Sequence, residues 1–175
     1  RPDAAGGWTE RARGRRHASP AWLRAGAGII EDVVSQRVGG ELRQYYLLRL
    51  TQSSMTMLVP CDACARIGVR RIVDAAGADA FLHALPSIPV EINANWNQRY
   101  RDNMLRIKSG DLLHVAAVVK SLMARDRVRG LSTGERKMLS TARQILVSEL
   151  MLAKDLPQEE AERLLDAGLG SGREN

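Results

Sequence analysis

The sequence predicts an α+β fold, with a small antiparallel β module followed by an all-helical module. Two runs, GIIEDVVSQRV and ELRQYYLLRL, are rich in β-branched and aromatic residues, and only Gly39-Gly40 separates them. Glycine readily adopts the positive φ that two-residue hairpin turns need, so we expect a β-hairpin here. After Val73, in contrast, apolar residues recur three and four positions apart, which is typical of helices.

The predicted β module spans residues 26–75. A third short strand, MTMLVP, follows the hairpin and ends at Pro60, so we expect three closely spaced antiparallel strands in a small sheet or partial barrel. Residues 1–25 have no apolar period and are dominated by Gly, Ala, Arg and Pro. We predict this N-terminal segment to be disordered or divergent.

The helical half begins with a short helix, ADAFLHAL, and a proline-bearing linker, which together occupy residues 76–94. Four helical segments are predicted over residues 95–170, and residues 171–175 form a tail. Their boundaries are marked by local signals: helix caps, a capping box in which a Ser and the Glu three residues later satisfy each other's free N–H groups, and a proline in a first turn. These signals are Asn95, Asp111, Ser132 with Glu135, and Pro157.

Positive charge is concentrated in part of the helical half. The whole chain has a net charge of +6, but residues 96–144 alone carry eleven Lys and Arg against four acids. Residues 145–175 have three cations and seven acids. A basic block inside a folded helical region favours a polyanion partner such as nucleic acid, although a solvated helix face is the simpler alternative.

The sequence contains no recognisable catalytic motif, so we interpret the chain as a binding protein rather than an enzyme. Cys61 and Cys64 have metal-ligand spacing, but no second CxxC or HxxxH completes a four-ligand zinc site. We therefore predict no metal and no cofactor, with a cysteine-based zinc or redox module as an alternative. Two cysteines, no secretory signal and no apolar run long enough for a membrane span together predict a cytoplasmic protein.

Trp96 lies in the stretch NANWNQRYRDN, among amides and cations. Tyr100, Met104 and Ile107 continue its side of the predicted helix, so one interpretation is a half-buried structural tryptophan. However, the start of a helix beside a linker is where neighbours enclose a ring least. An apolar side chain beside cations is also what minor-groove proteins insert between base steps.

From about Gly26 to Leu169 the chain resembles the CarD/CdnL transcription regulators of bacteria. Their N-terminal module is shared with the polymerase-interacting domain of transcription-repair coupling factor. The resemblance is carried by GAGIIEDV, YYLLRL, MTMLVP with a following G-V-R turn, NWNQRYRDN, KSGDLLHVAAVVKSL and RGLSTGERKMLSTARQILVSEL. The last two motifs lie within residues 108–150.

The resemblance implies that the β module is Tudor-like and docks on the β subunit of RNA polymerase, partly by strand pairing. It further implies that the tryptophan wedges into the minor groove at the upstream fork of melted promoter DNA and stabilises the open complex. The protein would then be a monomer that reaches the nucleoid through the polymerase. The implied DNA-binding residues are Trp96, Arg99, Arg101, Arg136 and Lys137, and the expected polymerase-binding residues are Gln36, Met55, Met57, Leu58 and Val59.

The sequence departs from this family at three places. Only GAGII survives of the usual first-strand motif, so we expect the first strand to be missing or remodelled. Gln36 and Leu58 stand where some relatives carry arginines that meet the polymerase, and Gln98 replaces a second arginine beside the wedge. A free-standing architectural DNA-binding protein that acts without polymerase is the alternative function.

Overall fold

The computed structural model describes residues 19–23, 26–51, 55–67, 69–90 and 95–170. They form two compact units that divide between Ile72 and Val73. The first, the sheet unit, is built on β-strands, and the second, the helical unit, contains only helices. The predicted α+β class is therefore confirmed. Within the described ranges, no helix is long and apolar enough to cross a membrane.

The sheet unit is one antiparallel five-stranded sheet, and its strands are β1 (Ser19–Leu23), β2 (Gly26–Val38), β3 (Glu41–Leu50), β4 (Thr56–Pro60) and β5 (Arg70–Arg71). Their order across the sheet is β4-β3-β2-β1-β5, so β4 and β5 are the edge strands. After β4 come a 3-10 turn, Cys61–Ala63, and a one-turn helix, α1 (Cys64–Ile67).

The β2–β3 hairpin is the one predicted from the sequence. Gly39 and Gly40 have φ values of 60° and 86°, which L side chains rarely adopt, and Val38 pairs with Glu41 across the turn. The third predicted strand is also present, as β4. Its neighbour is β3, with Leu58 opposite Leu47.

Two strands were not predicted. Residues 19–23 form β1, which pairs with both β2 and β5. We had predicted these residues to be part of a disordered or divergent N-terminal segment. We expected the first strand to be missing or remodelled. It is not missing, because residues 19–23 form a five-residue strand. β1 pairs with β2, the strand that follows it directly, but its five residues are too few to show a periodic pattern. β5 has only two residues, and its partner β1 is distant in sequence, with Ala21 opposite Arg71.

One face of the sheet carries the core of this unit. Side chains alternate between the two faces of a strand, so alternate residues of β3 and β4 point the same way. The buried cluster consists of Ala21, Ile30, Tyr46, Leu48, Val59 and Cys64, with Met57 among the partly buried residues packed against it.

The described residues of the helical unit form the helices α2 (Ala75–Ala84), α3 (Trp96–Ser109), α4 (Leu112–Arg129), α5 (Thr133–Lys154) and α6 (Gln158–Leu169). The predicted caps are confirmed: the side chains of Asn95 and Asp111 accept from backbone N–H groups, and Ser132 with Glu135 forms a complete capping box. Pro157 is the N-cap residue of α6 rather than a residue of its first turn.

Buried aliphatic residues of α4 and α5 form the centre of this unit, among them Val115, Val119, Ile145 and Leu146. The short helix predicted at ADAFLHAL, residues 78–85, is α2, and it belongs to this unit. The side chain of Lys120 donates to the carbonyls of Leu85, Pro86 and Ile88 at 3.1, 2.8 and 2.7 Å, which ties the chain after α2 to α4.

We predict that Gly168→Ala lowers the free energy of unfolding by about 1–3 kcal/mol, the usual cost of overpacking. A Cβ at Gly168 would lie 2.6 Å from Leu85 Cδ1 and 3.1 Å from Leu85 Cβ, and Leu85 is fully buried. Urea unfolding measures the change. The matched control is Gly134→Ala, whose methyl would meet Tyr100 at an ordinary 3.6 Å. It should stabilise the helix by about 0.5–1 kcal/mol, and equal effects of the two variants would contradict the close approach.

Candidate functional site

Three helix termini lie at one end of the helical unit, which we call the Trp96 end. Short connections join α3 to α4 and α4 to α5, so neighbouring helices run antiparallel. The start of α3, the end of α4 and the start of α5 therefore share this end. Contacts of Glu135, near the start of α5, with Arg99 of α3 and Arg125 of α4 confirm the arrangement.

Trp96 is the first residue of α3 and is 46% exposed. The preceding residue, Asn95, caps the helix by accepting from the backbone N–H of Gln98 at 3.2 Å. The indole stacks on the half-buried Tyr100 ring, with centroids 5.3 Å apart and planes 26° apart. The apolar side of α3 thus becomes progressively exposed from the buried Ile107 towards the accessible indole.

A buried carboxylate holds the Trp96 end together. Glu135 is 3% exposed, and its Oε1 accepts from Arg99 Nη2 at 2.8 Å and Arg99 Nε at 3.1 Å. Its Oε2 accepts from Ser132, from the backbone N–H at 3.0 Å and the hydroxyl at 2.9 Å. Arg125 Nε lies 3.4 Å from Oε1, close enough for an ion pair, though this nitrogen makes no hydrogen bond within the described residues.

The pKa of Glu135 reflects two opposing effects. Burial alone acts to raise it, because removing a carboxylate from water favours the neutral form. The hydrogen bonds from Arg99 and Ser132 and the charge of Arg99 outweigh burial, so the pKa lies below its usual value of 4.5. Glu135 therefore remains ionised at neutral pH and pairs with both arginines.

Arg99 requires a correction. The family resemblance implied that it contacts DNA, but it is 7% exposed and its guanidinium donates twice to Glu135. A cation enclosed in this way presents no free face to a phosphate. Its place in the structure is beneath the tryptophan, one helical turn further along α3, where it joins α3 to α5. The sequence pattern of cations beside an indole could not separate this role from a surface one.

The other three predicted cations are on the surface. Arg101 is exposed on α3, and Arg136 and Lys137 are exposed in the first turns of α5. Arg136 Nε donates to the carbonyl of Leu131 at 3.1 Å, which orients its guanidinium near the α4–α5 connection. The structure thus brings Arg101, Arg136 and Lys137 to the end of the unit that exposes the indole.

In the sheet unit, the predicted docking residues lie on two different faces. Gln36 pairs with Arg43 and Leu58 pairs with Leu47, which places all four on the face opposite the core, here called the outer face. Gln36, Arg43 and Leu58 are exposed, and Leu47 is half-buried. Leu47 and Arg43 were not predicted, because only the strand register shows that they adjoin Gln36 and Leu58.

Val59 and Met57 do not belong to that face. Val59 is 4% exposed and lies in the core cluster, and Met57 packs against the same cluster. Their side chains pack in the core of the sheet unit. The expectation that these side chains contact the polymerase is therefore wrong. Met55, just before β4, is exposed.

β4 is an edge strand whose outward backbone groups can be identified. Leu50 N–H donates to Met55 C=O at 3.1 Å, so Leu50 and Met55 form a hydrogen-bonded pair. Such pairs alternate with non-hydrogen-bonded ones along an antiparallel ladder. The N–H and C=O groups of Thr56 and Leu58 therefore point away from β3, towards the open edge.

The cysteines lie in the 3-10 turn and α1, beside the core of the sheet unit. Cys64 is buried, its Sγ donates to the Pro60 carbonyl at 3.4 Å, and burial raises its pKa to about 11. Burial also raises the pKa of Cys61, and burial is the main cause that raises that of Tyr46 to about 12. The thiol form of both cysteines is therefore favoured at physiological pH, which lowers their reactivity in disulfide exchange.

Each of the two units matches a known protein family. Residues 23–73 match the family described as the CarD-like/TRCF RID domain, and residues 80–166 match the CarD C-terminal domain. A relative from Bacillus subtilis (strain 168), named "Putative transcription factor YdeB", is 31% identical over 135 residues, which are 77% of this chain and 88% of the relative. The chain belongs to the CarD family.

The CarD-family matches follow the structural division. The first ends at residue 73, beside the boundary between the two units, and the second covers α3, α4 and α5 together with half of α2 and most of α6. Every candidate residue of the Trp96 end thus falls within the CarD C-terminal domain, and every candidate docking residue falls within the RID match. The family is one of transcription factors, so transcription regulation is the function at this level.

Loss of the contacts that Glu135 makes with Arg99, Arg125 and Ser132 should destabilise the helical unit in a pH-dependent way. We predict that Glu135→Gln costs about 3–5 kcal/mol at neutral pH, because Arg99 is left buried without its counter-charge. The pKa of Glu135 is lowered by folding, so its stabilisation is complete above pH 4.5 and is lost as pH falls through the folded pKa. The stability gap between wild type and variant should therefore narrow below about pH 4.5.

Chemical denaturation across a pH series measures this gap. Glu159→Gln is the matched control, since Glu159 is exposed in the first turn of α6 and its loss should change stability by under about 0.5 kcal/mol. A Glu135→Gln cost as small as the control's, or one independent of pH, would show that the cluster does not stabilise the unit.

Proposed function

We propose that this protein binds the β subunit of RNA polymerase through its sheet unit and stabilises the open promoter complex through the Trp96 end of its helical unit. The observation that carries the proposal is Trp96: a large indole, 46% exposed, at a helix start that also displays Arg101, Arg136 and Lys137. Membership of a transcription-factor family supports the same conclusion.

The wedge requires an apolar surface that can enter between bases while nearby cations hold phosphates. Trp96 supplies the apolar surface. Its stack on Tyr100 favours one ring orientation before binding, so less conformational entropy would be lost when the ring inserts. Arg101, Arg136 and Lys137 supply the charge. Phosphate contacts of this kind hold the protein in place without reading sequence, so we propose that the site recognises the shape of a fork rather than a base sequence.

Docking on the polymerase is proposed to use the edge strand β4. The outward backbone groups of Thr56 and Leu58 can pair with an added strand, as exposed sheet edges commonly do. The outer face lies directly beside that edge. There, Leu58 and the half-buried Leu47 offer apolar contact, and Gln36 and Arg43 offer polar contact.

Two contacts of modest affinity, one of the sheet unit with the polymerase and one of the helical unit with DNA, would be enough to shift the equilibrium of promoter opening. A ligand shifts an equilibrium only by its differential affinity for the two states, so the helical unit must bind the melted fork better than closed duplex. DNA affinity alone need not be high. Attachment of the sheet unit to the polymerase raises the effective concentration of the helical unit at the fork.

We expect Thr56→Pro to weaken binding to the isolated polymerase β subunit by about tenfold, the effect of losing one well-formed hydrogen bond. Proline removes the outward N–H, and a first strand residue at an edge tolerates it. Thr56→Ala keeps the N–H and should bind normally. Leu58→Asp tests the outer face in the same assay, and Leu42→Asp is its control because Leu42 is also exposed but lies on the hairpin away from β4.

If the folded Thr56→Pro and Leu58→Asp variants both bind the β subunit like wild type, β4 and the outer face are not the docking surface. If wild-type protein does not bind the β subunit at all yet binds DNA tightly, the architectural alternative is correct.

Trp96→Ala should separate the wedge from a structural tryptophan. The wedge predicts a stability cost of about 1 kcal/mol or less, the scale of one exposed aromatic pair. Polymerase binding should persist, but the open complex should decay about five- to a hundred-fold faster, which corresponds to the loss of one base–aromatic stack. Promoter-complex decay and thermal melting of the same variant measure both effects.

Leu105→Ala is the control, because Leu105 is a large apolar residue on the same helix and is 66% exposed. It should leave the decay rate unchanged. A Trp96→Ala variant with a much lower melting temperature and normal decay kinetics would assign the indole to the fold.

A further inference from the structure

The two cysteines lie in the turn that follows β4, and no step of the proposed function uses them. Cys61 begins the 3-10 turn, and Cys64, whose backbone is helical, begins α1. Cys64 belongs to the core cluster of the sheet unit, and the partly buried Cys61 packs against the same cluster. Both thiols therefore face the same side of the turn.

The backbone of this turn brings the two thiols within bonding reach. Residues three positions apart have Cα atoms about 5 Å apart in an α-helix and about 6 Å apart in a 3-10 helix. Disulfides join residues whose Cα atoms are about 4.4–6.8 Å apart. Rotation of the two side chains can therefore join the sulfurs of Cys61 and Cys64 without a large movement of the backbone.

In the reduced form, each thiol holds the turn against the sheet. Cys64 Sγ donates to the carbonyl of Pro60, the last residue of β4, at 3.4 Å. The Cys61 thiol is hydrogen-bonded to the hydroxyl of Tyr46 on β3, a residue that is 5% exposed. Tyr46 in turn pairs with Val59 of β4. The thiols thus help to fix the place at which β4 ends.

We propose that Cys61 and Cys64 are a modification site at which peroxide closes a reversible disulfide, and that this bond loosens the end of β4. The inference goes beyond the proposed function, because the reaction requires neither polymerase nor DNA. The pair is the target of an oxidant and not a catalyst of disulfide exchange in other proteins.

The reaction begins at Cys61, the less buried of the two cysteines. Its thiolate sulfur attacks hydrogen peroxide: an S–O bond forms, the O–O bond breaks, and the departing hydroxide takes up a proton to become water. The Cys64 sulfur then attacks the sulfenic acid. The S–S bond forms, the S–O bond breaks, and hydroxide leaves with the Cys64 proton as a second water. Two electrons and two protons pass from the thiols to one peroxide.

The environment of the pair makes the first step slow and the second fast. Burial raises the pKa of both cysteines, so little thiolate is present at neutral pH. The hydrogen bond from Tyr46 partly offsets this effect on the pKa of Cys61, which favours Cys61 as the first to react. The second step is intramolecular, and proximity accelerates it. The site therefore responds to sustained peroxide.

Closure of the disulfide removes the contacts that the thiols make in the reduced form. A disulfide sulfur carries no hydrogen, so Cys64 can no longer donate to Pro60. Movement of the Cys61 sulfur towards Cys64 takes it away from the buried Tyr46 hydroxyl, and the loss of such a partner costs stability. The new bond closes a loop of only four residues, which restrains the unfolded chain little. The oxidised protein therefore has a looser end of β4, and its disulfide is readily reduced.

A simpler explanation is that two small thiols only fill the space beneath the turn, as free cysteines often do. Treatment of the reduced full chain with hydrogen peroxide separates the two explanations. Alkylation before and after dithiothreitol should show both thiols lost together and both restored. Cys61→Ser should leave the buried Cys64 as a thiol, and Cys64→Ser should leave Cys61 as a sulfenic acid that dimedone traps. A wild-type protein that keeps a free thiol, or forms only disulfide-linked dimers, overturns the site.

Amide hydrogen exchange tests the effect on β4. Leu50 and Met55 are a hydrogen-bonded pair, and alternation along the ladder makes Val59 and Tyr46 another. The Val59 amide should exchange about tenfold faster in the oxidised protein, the effect of losing about one hydrogen bond, and dithiothreitol should reverse the change. The amide of Val119, buried in α4, should not change.

The matched control is the variant with both cysteines replaced by serine, treated with the same peroxide. It undergoes any oxidation of the exposed Met55 but cannot form the disulfide. If its Val59 amide responds as much as that of wild type, or if Val59 exchanges equally in reduced and oxidised wild type, the disulfide does not loosen β4 and this part of the inference is overturned.

The consequence for docking rests on the proposed function, and the same samples keep the two apart. If β4 docks on the polymerase β subunit, the reduced protein should bind the subunit about tenfold more tightly than the oxidised protein, since one hydrogen bond corresponds to about that factor. If the reduced protein does not bind, the proposed docking fails, while alkylation and exchange still decide whether the disulfide forms and loosens β4. Equal binding by both forms, with the disulfide present, overturns redox control of docking.

Discussion

The geometry of the helical unit at its Trp96 end depends on the buried carboxylate of Glu135. One side chain caps α5 through Ser132, accepts two hydrogen bonds from Arg99 of α3, and lies at ion-pair distance from Arg125 of α4. A charge at this depth is tolerated only when its partners are in place, because desolvation is otherwise too costly. The three helix termini are therefore fixed together, and the surface they display, including Trp96, is fixed with them.

The two units offer different kinds of contact. The edge strand β4 presents backbone groups, which any extended strand can satisfy, and the adjoining outer face adds side chains such as Leu58 and Gln36 that can select among partners. The Trp96 end presents an indole and exposed cationic side chains, which suit a charged polymer of variable sequence. The difference is chemical: backbone pairing gives a defined register on a protein, whereas the proposed wedge and its cations would tolerate any DNA sequence.

Local features were predictable from the sequence and non-local ones were not. The Gly39-Gly40 hairpin and the Ser132–Glu135 capping box depend on residues close in sequence, and both are present as predicted. Burial of Arg99 depends on a partner 36 residues away, and the pairing of β1 with β5 joins segments about fifty residues apart. Likewise, alternation along MTMLVP indicates two faces but not which one is the core, so Val59 could be assigned to the interior only from the sheet. The indole was identifiable because its polar neighbours contradict a core.

The tryptophan's support explains how a side chain can be both exposed and selective. A free indole on a mobile loop loses conformational entropy when it inserts, and it can insert in many ways, whereas this one begins a capped helix and rests on Tyr100. Arg99, one turn further along, is buried against Glu135, which ties the first turn of α3 to the first turn of α5. A wedge supported in this way, as we propose for Trp96, would gain most from a partner that already offers a gap of matching geometry, which an opened fork has and a closed duplex lacks.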